Sequence, residues 1–168
     1  MKEELTSLSE NKVASRVEST SVPPQTRAIG TRWVFAVKPD GRFKARLVAQ
    51  GYRDRFSLAI EDVSSPVCYG ESQKILLAIA NNLGWQLEQL DFATAYQQAE
   101  MDREIFVKQP PGFKEFSKET GKPYAIKLVR SFYGLATSIK AWKQTVDQAL
   151  QEIGWTATAS DPCLYQRG

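Results

Sequence analysis

The stretch TRWVFAVKPDGRFKARLVAQ, residues 31–50, determines the predicted fold. Residues 31–38 alternate apolar and polar side chains, and residues 42–50 alternate again. Between the two runs, Pro39-Asp40-Gly41 supplies turn chemistry, because proline presets φ and glycine accepts a positive φ. The pattern predicts a β-hairpin. One apolar face of this hairpin is expected to consist of Trp33, Phe35, Val37, Phe43, Ala45 and Leu47.

The opposite face of the predicted hairpin is basic, because Lys44 and Arg46 lie side by side there. Residues 27–55 carry eight basic and two acidic residues, a net charge of +6, whereas the whole chain is only +3. Such a segment is the electrostatic footprint of a phosphate-bearing partner. A solvated hairpin edge protected by charge would give the same composition, so the charge alone leaves both interpretations open.

The composition excludes several classes of chemistry. The 168 residues are 42% hydrophobic and 24% charged, which is typical of one globular domain. The chain contains no histidine. This excludes Ser-His-Asp and Cys-His hydrolysis, His-ligated zinc and imidazole acid–base catalysis. Any reaction must use carboxylates, amines, hydroxyls or a carboxylate-held metal.

The two cysteines, Cys68 and Cys163, form no C-x-x-C motif, so neither a zinc ribbon nor a dithiol redox site is expected. We expect two buried free thiols in a reducing compartment, although the sequence leaves a disulfide open. Residues 1–10 are polar and do not resemble a secretory signal. The longest apolar run, residues 75–80, is far too short to span a membrane. We therefore expect an intracellular protein, cytoplasmic or nuclear.

The remaining periodicities predict a mixture of helices and strands, and hence an α+β fold. Helices are expected over residues 2–11, 71–83 and 138–153, the second ending at Gly84. The apolar face of the last helix is expected to be Trp142, Val146, Ala149, Leu150 and Ile153. Strands are expected over residues 85–92, ending at Asp91, over 104–108 and 124–129, and from 163 onward.

Several short blocks, in order along nearly the whole chain, point to a family. They are ELTSL (4–8), IGTRWVF (29–35), KARLVAQG (44–51), SPV (65–67), LDFATAY (90–96), EI (104–105), KQPPGF (108–113), YGL (133–135), AW (141–142) and DPCLY (161–165). Each block alone is weak, but their order and spacing together are specific. The chain resembles the reverse transcriptase domain of the Pol polyprotein of copia-type LTR retrotransposons.

The resemblance implies a right-hand polymerase fold, of which this chain would be the fingers and part of the palm. The basic β-hairpin would belong to the fingers, and a partial antiparallel palm sheet would pack on helices. Residues 1–26 would be an N-terminal helix and connection, and residues 27–168 the fingers and partial palm. The implied activity is RNA-directed DNA polymerisation, a template-directed nucleotidyl transfer to a primer 3′ end. The implied partners are an RNA or DNA template–primer and a dNTP.

The resemblance also assigns roles to individual residues. Lys44 and Arg46 would contact the triphosphate of the nucleotide and the template backbone. Asp91 would be the first catalytic carboxylate and a ligand of two Mg²⁺ ions. Tyr96 would exclude a 2′-hydroxyl, and Gly134 would let the backbone approach the nascent base pair. Without the family, Lys44 and Arg46 would suggest a merely solubilising charged surface. Asp91 would suggest a cap or turn residue, and Tyr96 a core aromatic.

The sequence also departs from the family pattern. The family continues into a Tyr-Val-Asp-Asp hairpin, and this chain contains no adjacent aspartate pair. Glu61-Asp62 lies in an irregular segment and Asp161-Pro162 belongs to another block. One carboxylate cannot hold two dications, so we expect a fragment that is inactive alone. The usual Leu-Asn-Gly and Lys-Gln-Ser-Pro-Arg are replaced by residues 97–99 and 136–140.

Three interpretations follow from the sequence. The chain is a fragment of a retrotransposon polymerase, a non-catalytic nucleic-acid-binding remnant of a mobile element, or a relic without a selected role. The missing aspartate pair argues against catalysis, whereas the basic hairpin permits binding. A palm sheet without its central hairpin would leave strand edges exposed, so self-association is also expected.

Overall fold

The structure is a computed structural model that describes residues 1–53 and 64–168. Within these ranges the helices are α1 (Lys2–Glu10), α2 (Gly70–Leu83) and α3 (Ser138–Glu152). The strands are β1 (Ala14–Val17), β2 (Thr31–Val37), β3 (Phe43–Ala49), β4 (Glu100–Lys108), β5 (Ala125–Arg130), β6 (Thr156–Ala157) and β7 (Tyr165–Gln166). Helices and antiparallel sheets are combined, as the α+β prediction requires. Glu61-Asp62 lies outside the described residues.

The central sheet has three antiparallel strands in the order β1-β5-β4. Its apolar side chains meet α1 and the base of the hairpin in one core. Fully buried members of this core include Val13, Val107, Leu128 and Phe132. Strand β1 was not predicted, because it is only four residues long and two of them are the polar Ser15 and Arg16.

The predicted hairpin is confirmed as β2 and β3, paired in the register Trp33↔Leu47, Phe35↔Ala45 and Val37↔Phe43. Gly41 has φ +80° in the turn, as expected. The base of the hairpin is buried and its tip is not: Leu47 is 3% exposed and Phe43 is 89% exposed. The hairpin therefore projects from the core as an arm.

The hairpin base is fixed to the end of β4. The backbone N–H of Ile29 donates to Phe106 O, and that of Lys108 donates to Ile29 O, both at 2.8 Å. The indole N–H of Trp33 donates to Pro111 O at 3.0 Å, and its ring meets Phe113 edge-on. The sequence blocks at 29–35 and 108–113 are thus neighbours in space.

The three predicted helices form close to their expected bounds, but their burial differs from expectation. Leu8 of α1 is buried and belongs to the core. Helix α2 ends at Gly84, whose φ of +66° is the left-handed cap conformation, yet Ala80 is its one buried residue. In α3 the predicted buried face is wrong for Ala149 and Ile153, which are exposed. This helix packs on the 3-10 turn Ala95–Gln98, on β4 and on β6.

The predicted strand over residues 85–92 is wrong, because the structure assigns no strand there. A strand needs a neighbouring strand for its backbone hydrogen bonds. Within residues 1–53 and 64–168, none pairs with this segment. Its apolar side chains are accordingly exposed, Leu90 at 82% and Trp85 at 55%.

Asp161, in the block DPCLY, has a structural role that the sequence did not reveal. Its fully buried carboxylate accepts hydrogen bonds from the backbone N–H of Tyr69 at 2.9 Å and of Cys163 at 2.8 Å. Burial alone would raise the pKa of this carboxyl, but hydrogen bonds from Ser72, Cys163 and Tyr69 lower it to about 2. The anion lies at the start of α2, where the helix dipole favours negative charge.

Both cysteines are free and half-buried. The thiol of Cys68 contacts Asp161 Oδ2 at 3.3 Å, and that of Cys163 contacts Pro66 O at 3.2 Å. In the described ranges, no helix is both long enough and apolar enough to cross a membrane.

Gln97 is a buried polar residue that lacks a full set of partners. It lies in the turn Ala95–Gln98 and is 2% exposed. Its side-chain oxygen has no hydrogen-bond partner among the described residues. The family pattern places leucine here. A buried unsatisfied oxygen costs about 1–3 kcal/mol.

We therefore predict that Gln97→Leu stabilises the chain by about 1–3 kcal/mol, because it removes the unsatisfied oxygen. Urea unfolding followed by circular dichroism measures the change. The matched control is Gln98→Leu at the exposed neighbouring position, which should change stability by less than about 0.5 kcal/mol. Equal effects of both substitutions, or destabilisation by Gln97→Leu, would contradict the prediction.

Candidate functional site

Tyr133 lies at the centre of the residues to which the sequence assigned a site. The ring of Tyr96 meets the Tyr133 ring edge-on, with centroids 5.1 Å apart and an interplanar angle of 83°. The guanidinium carbon of Arg46 lies 5.9 Å from the Tyr133 ring centroid, within cation–π range. Gly134 is the next residue in the chain. Two predicted site residues that lie far apart in the sequence, Arg46 and Tyr96, therefore contact one side chain, and a third, Gly134, adjoins it in the chain.

Sequence reasoning missed Tyr133 itself. The residue belongs to the block YGL (133–135), but it received no role, because a lone aromatic beside a glycine is usually part of the core. Tyr96 and Tyr133 are aromatic residues that each lie in a sequence block with a predicted site residue. This shared pattern is the signal that could have identified Tyr133. Only the tertiary structure shows that these rings touch.

The electrostatics of Tyr133 show which charges reach this cluster. The side chain is half-buried, and burial is the main cause that raises the pKa of its hydroxyl. The charge of Arg46 opposes this rise, whereas Glu4, Tyr96 and Asp91 add to it. The carboxylate of Asp91 is exposed, and its field extends to the Tyr133 hydroxyl. The charges of Asp91 and Arg46 therefore act on the pKa of the Tyr133 hydroxyl in opposite directions.

A close contact between two backbone segments holds this arrangement together. The N–H of Ala49, at the end of β3, donates to Tyr133 O at 2.8 Å, and the N–H of Gly51 donates to Gly134 O at 3.1 Å. A Cβ added at Gly134 would lie 2.2 Å from Ala49 O, and one added at Gly51 would lie 2.2 Å from Gly134 O. Both positions therefore require glycine.

The reason for Gly134 thus differs from the sequence-based one. The sequence analysis expected a glycine that lets the backbone approach a ligand. In the structure, the glycine lets the loop approach β3, and its φ of +87° also disfavours any other residue. Gly134 thus lets the backbone of its loop lie close to another part of the protein, the end of β3. This contact positions Tyr133 beside Arg46.

Lys44 and Asp91 lie beside the cluster rather than inside it. Lys44 is half-buried on the same hairpin face as Arg46, two residues nearer the tip, and pairs across the hairpin with Ala36. Asp91 precedes the turn Ala95–Gln98 that carries Tyr96. Its neighbour Phe92 packs edge-on against Trp142 of α3, with centroids 5.2 Å apart. This contact fixes the irregular segment to a helix.

The described residues do not fit a two-ion metal site. No group of three or more Cys, Asp or Glu side chains within residues 1–53 and 64–168 is placed to hold a metal ion. Asp91 is a single exposed carboxylate, and two dications need several hard oxygen ligands between them. No step of metal-dependent chemistry can therefore be derived from these residues.

Comparisons with known proteins show the family of the chain. A family model described as reverse transcriptase (RNA-dependent DNA polymerase) matches residues 15–168. The chain is 34% identical to the retrovirus-related Pol polyprotein from transposon TNT 1-94 of Nicotiana tabacum, over 98% of this chain and 12% of that protein. It is 35% identical to the corresponding polyprotein from transposon RE2 of Arabidopsis thaliana, over 87% of this chain and 10% of that protein.

A more distant relative is the transposon Ty1-DR4 Gag-Pol polyprotein of Saccharomyces cerevisiae, 28% identical over 83% of this chain and 8% of that protein. The chain thus spans between 8% and 12% of the length of these curated relatives. No solved structure matches the chain.

We predict that Gly134→Ala destabilises the chain by more than about 3 kcal/mol, because the new methyl group would overlap Ala49 O and strain the backbone. The matched control is Gly41→Ala in the hairpin turn. Gly41 also has a positive φ, +80°, but a Cβ there meets nothing within 4 Å. That substitution should cost only about 1–2 kcal/mol, the price of the left-handed backbone. Urea unfolding compares the two, and equal costs would contradict the claim that the loop contact requires glycine.

Proposed function

We propose that the chain forms the part of a polymerase that binds the incoming nucleotide and the template. The proposal proceeds from the family, because the chain belongs to the reverse transcriptase (RNA-dependent DNA polymerase) family of retrotransposon Pol polyproteins. The observation that supports this most is that Arg46 and Tyr96 both contact the ring of Tyr133. A cation is suited to a phosphate, and aromatic rings are suited to a nucleoside. Gly134 adjoins Tyr133 in the loop that would border the nascent base pair.

In this proposal the hairpin β2–β3 belongs to the fingers of a right-hand polymerase, and the sheet β1-β5-β4 belongs to the palm. Residues 27–168 are the fingers and partial palm. Residues 1–26 are attached to them through α1, whose Glu4 carboxylate accepts a hydrogen bond from Leu47 N at 3.2 Å. The base of the hairpin is buried and its tip projects from the core. In this proposal the projecting tip closes over the nucleotide.

Each site residue then has a role in template-directed nucleotidyl transfer to a primer 3′ end. Lys44 and Arg46 bind the phosphates of the dNTP and of the template backbone. Tyr96, held by Tyr133, packs against the sugar and excludes a 2′-hydroxyl. Asp91 would be one oxygen ligand of the Mg²⁺ ions of the intact family enzyme. Further carboxylates are needed to complete such a site.

We propose that this chain by itself binds nucleic acid but does not extend a primer. The 168 residues contain no adjacent aspartate pair, and Asp91 alone cannot hold two ions. The same observation favours a second function, that of a non-catalytic nucleic-acid-binding protein derived from a mobile element. We also propose that the chain self-associates through the exposed edges of the sheet. An intracellular location is proposed as well, because it suits the free thiols of Cys68 and Cys163.

The prediction is that the purified chain shows no primer extension on a poly(rA)·oligo(dT) template with Mg²⁺ or Mn²⁺, but binds RNA and DNA in a salt-sensitive manner. Lys44→Ala with Arg46→Ala should reduce the salt slope of single-strand binding by about 1.4, the loss of two phosphate contacts. Fluorescence anisotropy at several salt concentrations measures the slope.

The matched control is Lys118→Ala with Lys122→Ala, which removes the same charge from exposed positions in the turn between β4 and β5. This control should leave the slope near that of the unmodified chain. Equal effects of the two double variants would show that only net charge matters and would refute the assigned phosphate contacts. Incorporation of nucleotide that disappears in Asp91→Ala would refute the claim of inactivity.

A further inference from the structure

The two cysteines of the chain, far apart in the sequence, meet at one carboxylate. The thiol of Cys68 donates to Asp161 Oδ2 at 3.3 Å, and the backbone N–H of Cys163 donates to the other oxygen, Oδ1, at 2.8 Å. The thiol of Cys163 lies 3.2 Å from the carbonyl oxygen of Pro66, two residues before Cys68. The charge of Cys163 also helps to raise the pKa of the Cys68 thiol, so the two sulfur atoms lie close enough to interact.

This pair of thiols has no part in the proposed nucleotide site. Both side chains are half-buried, so a small reagent can reach them from solvent. A shared metal ion would need further ligands. No group of three or more Cys, Asp or Glu side chains in residues 1–53 and 64–168 is placed to hold one. The chemistry left to the pair is the reaction of one thiol with the other.

We propose that Cys68 and Cys163 form a disulfide bond when the chain meets an oxidising small-molecule disulfide, and that this bond fastens the start of α2 to the segment 161–165. The inference does not depend on the nucleotide site. It rests on the contacts around Asp161, which bring both cysteines into one hydrogen-bonded cluster.

The bond forms by two exchanges with a small disulfide, RS–SR. The thiolate of one cysteine attacks one sulfur of RS–SR, which forms a mixed disulfide and expels RS⁻. The thiolate of the other cysteine attacks the cysteine sulfur of the mixed disulfide and expels the second RS⁻. Each RS⁻ takes up one of the two protons that the cysteines release. The two cysteines are thereby oxidised by two electrons, and RS–SR is reduced to two RSH.

The surroundings of the pair make this exchange slow near neutral pH. Burial is the main cause that raises the pKa of both thiols, and the Asp161 carboxylate adds to the rise at each of them. At Cys163 the charge of Lys143 opposes the rise and that of Asp147 adds to it. Because the thiolate is the attacking species, the chain keeps two free thiols until an oxidant is supplied.

The bond would replace weak links by a covalent one. At present the start of α2 is held to Asp161 by the N–H of Tyr69, at 2.9 Å, and by the thiol of Cys68, a weak donor. A bond between Cys68 and Cys163 would close a loop of about 95 residues, and a cross-link that closes a long loop restricts the unfolded chain strongly. By linkage, the fold favours the bond by the same factor as the bond favours the fold.

The experiment equilibrates the full chain with fixed ratios of reduced and oxidised glutathione at about pH 8.5, where more thiolate is present. Free thiols are then blocked by alkylation, and peptide mapping by mass spectrometry identifies the linked peptides. We expect a monomer with one link, between Cys68 and Cys163. The equilibrium constant for its formation should be at least about 10-fold larger in the folded chain than in the same chain unfolded in urea. The oxidised chain should also melt at least about 5 °C higher, and a reductant should reverse this shift.

The matched controls are Cys68→Ser and Cys163→Ser, each of which leaves one thiol. Both should form only mixed disulfides or linked dimers, and their melting temperatures should be equal in oxidising and reducing buffer. The peptide map and the comparison with urea use the unmodified chain, so they test the inference even if a serine variant does not fold. A folded chain without the intramolecular link, or a link that forms no more readily than in urea, would overturn it.

Discussion

The site depends on one backbone contact, the approach of the end of β3 to the loop 131–134. Two hydrogen bonds, from Ala49 N to Tyr133 O and from Gly51 N to Gly134 O, bring these segments together. The approach is so close that a single Cβ on either glycine would overlap a carbonyl oxygen. Because β3 carries Arg46 and the loop carries Tyr133, the contact places a cation over an aromatic ring. The same ring meets Tyr96, so a change in the contact would disturb the whole proposed nucleotide site.

A second constraint holds the other half of the described chain. Asp161 binds the start of α2 through Tyr69, and through Cys163 it binds its own segment near β7. A buried anion with several donors is a strong link, because an unpaired charge in that position would be costly. The block DPCLY therefore has a structural role in this chain. By contrast, α2 and residues 85–92 expose apolar side chains to solvent. On this side of the molecule, the described residues cover the apolar side chains least.

Much of the local structure could be predicted from the sequence. Alternation and the Pro-Asp-Gly turn were sufficient for the hairpin, and glycine at position 84 marked the end of α2. The irregular structure of residues 85–92 and the exposure of part of the predicted apolar face of α3 could not be predicted, because alternation and amphipathicity report what a segment would bury given a neighbour. Trp85, Leu90 and Ile153 have the pattern of buried residues but are 55%, 82% and 58% exposed. The site residues were identified through family resemblance, and their convergence on Tyr133 was visible only in three dimensions.

The central claim is that a nucleotide binds at the cluster around Tyr133. The most direct measurement is a two-dimensional NMR titration of the isotopically labelled chain with dTTP, which records the amide shift of each residue. We expect the largest shifts at Arg46, Asp91, Tyr96, Tyr133 and Gly134, with little change in β6 and β7. Shifts that are absent, or that are concentrated away from these residues, for example at the turn between β4 and β5, would contradict it.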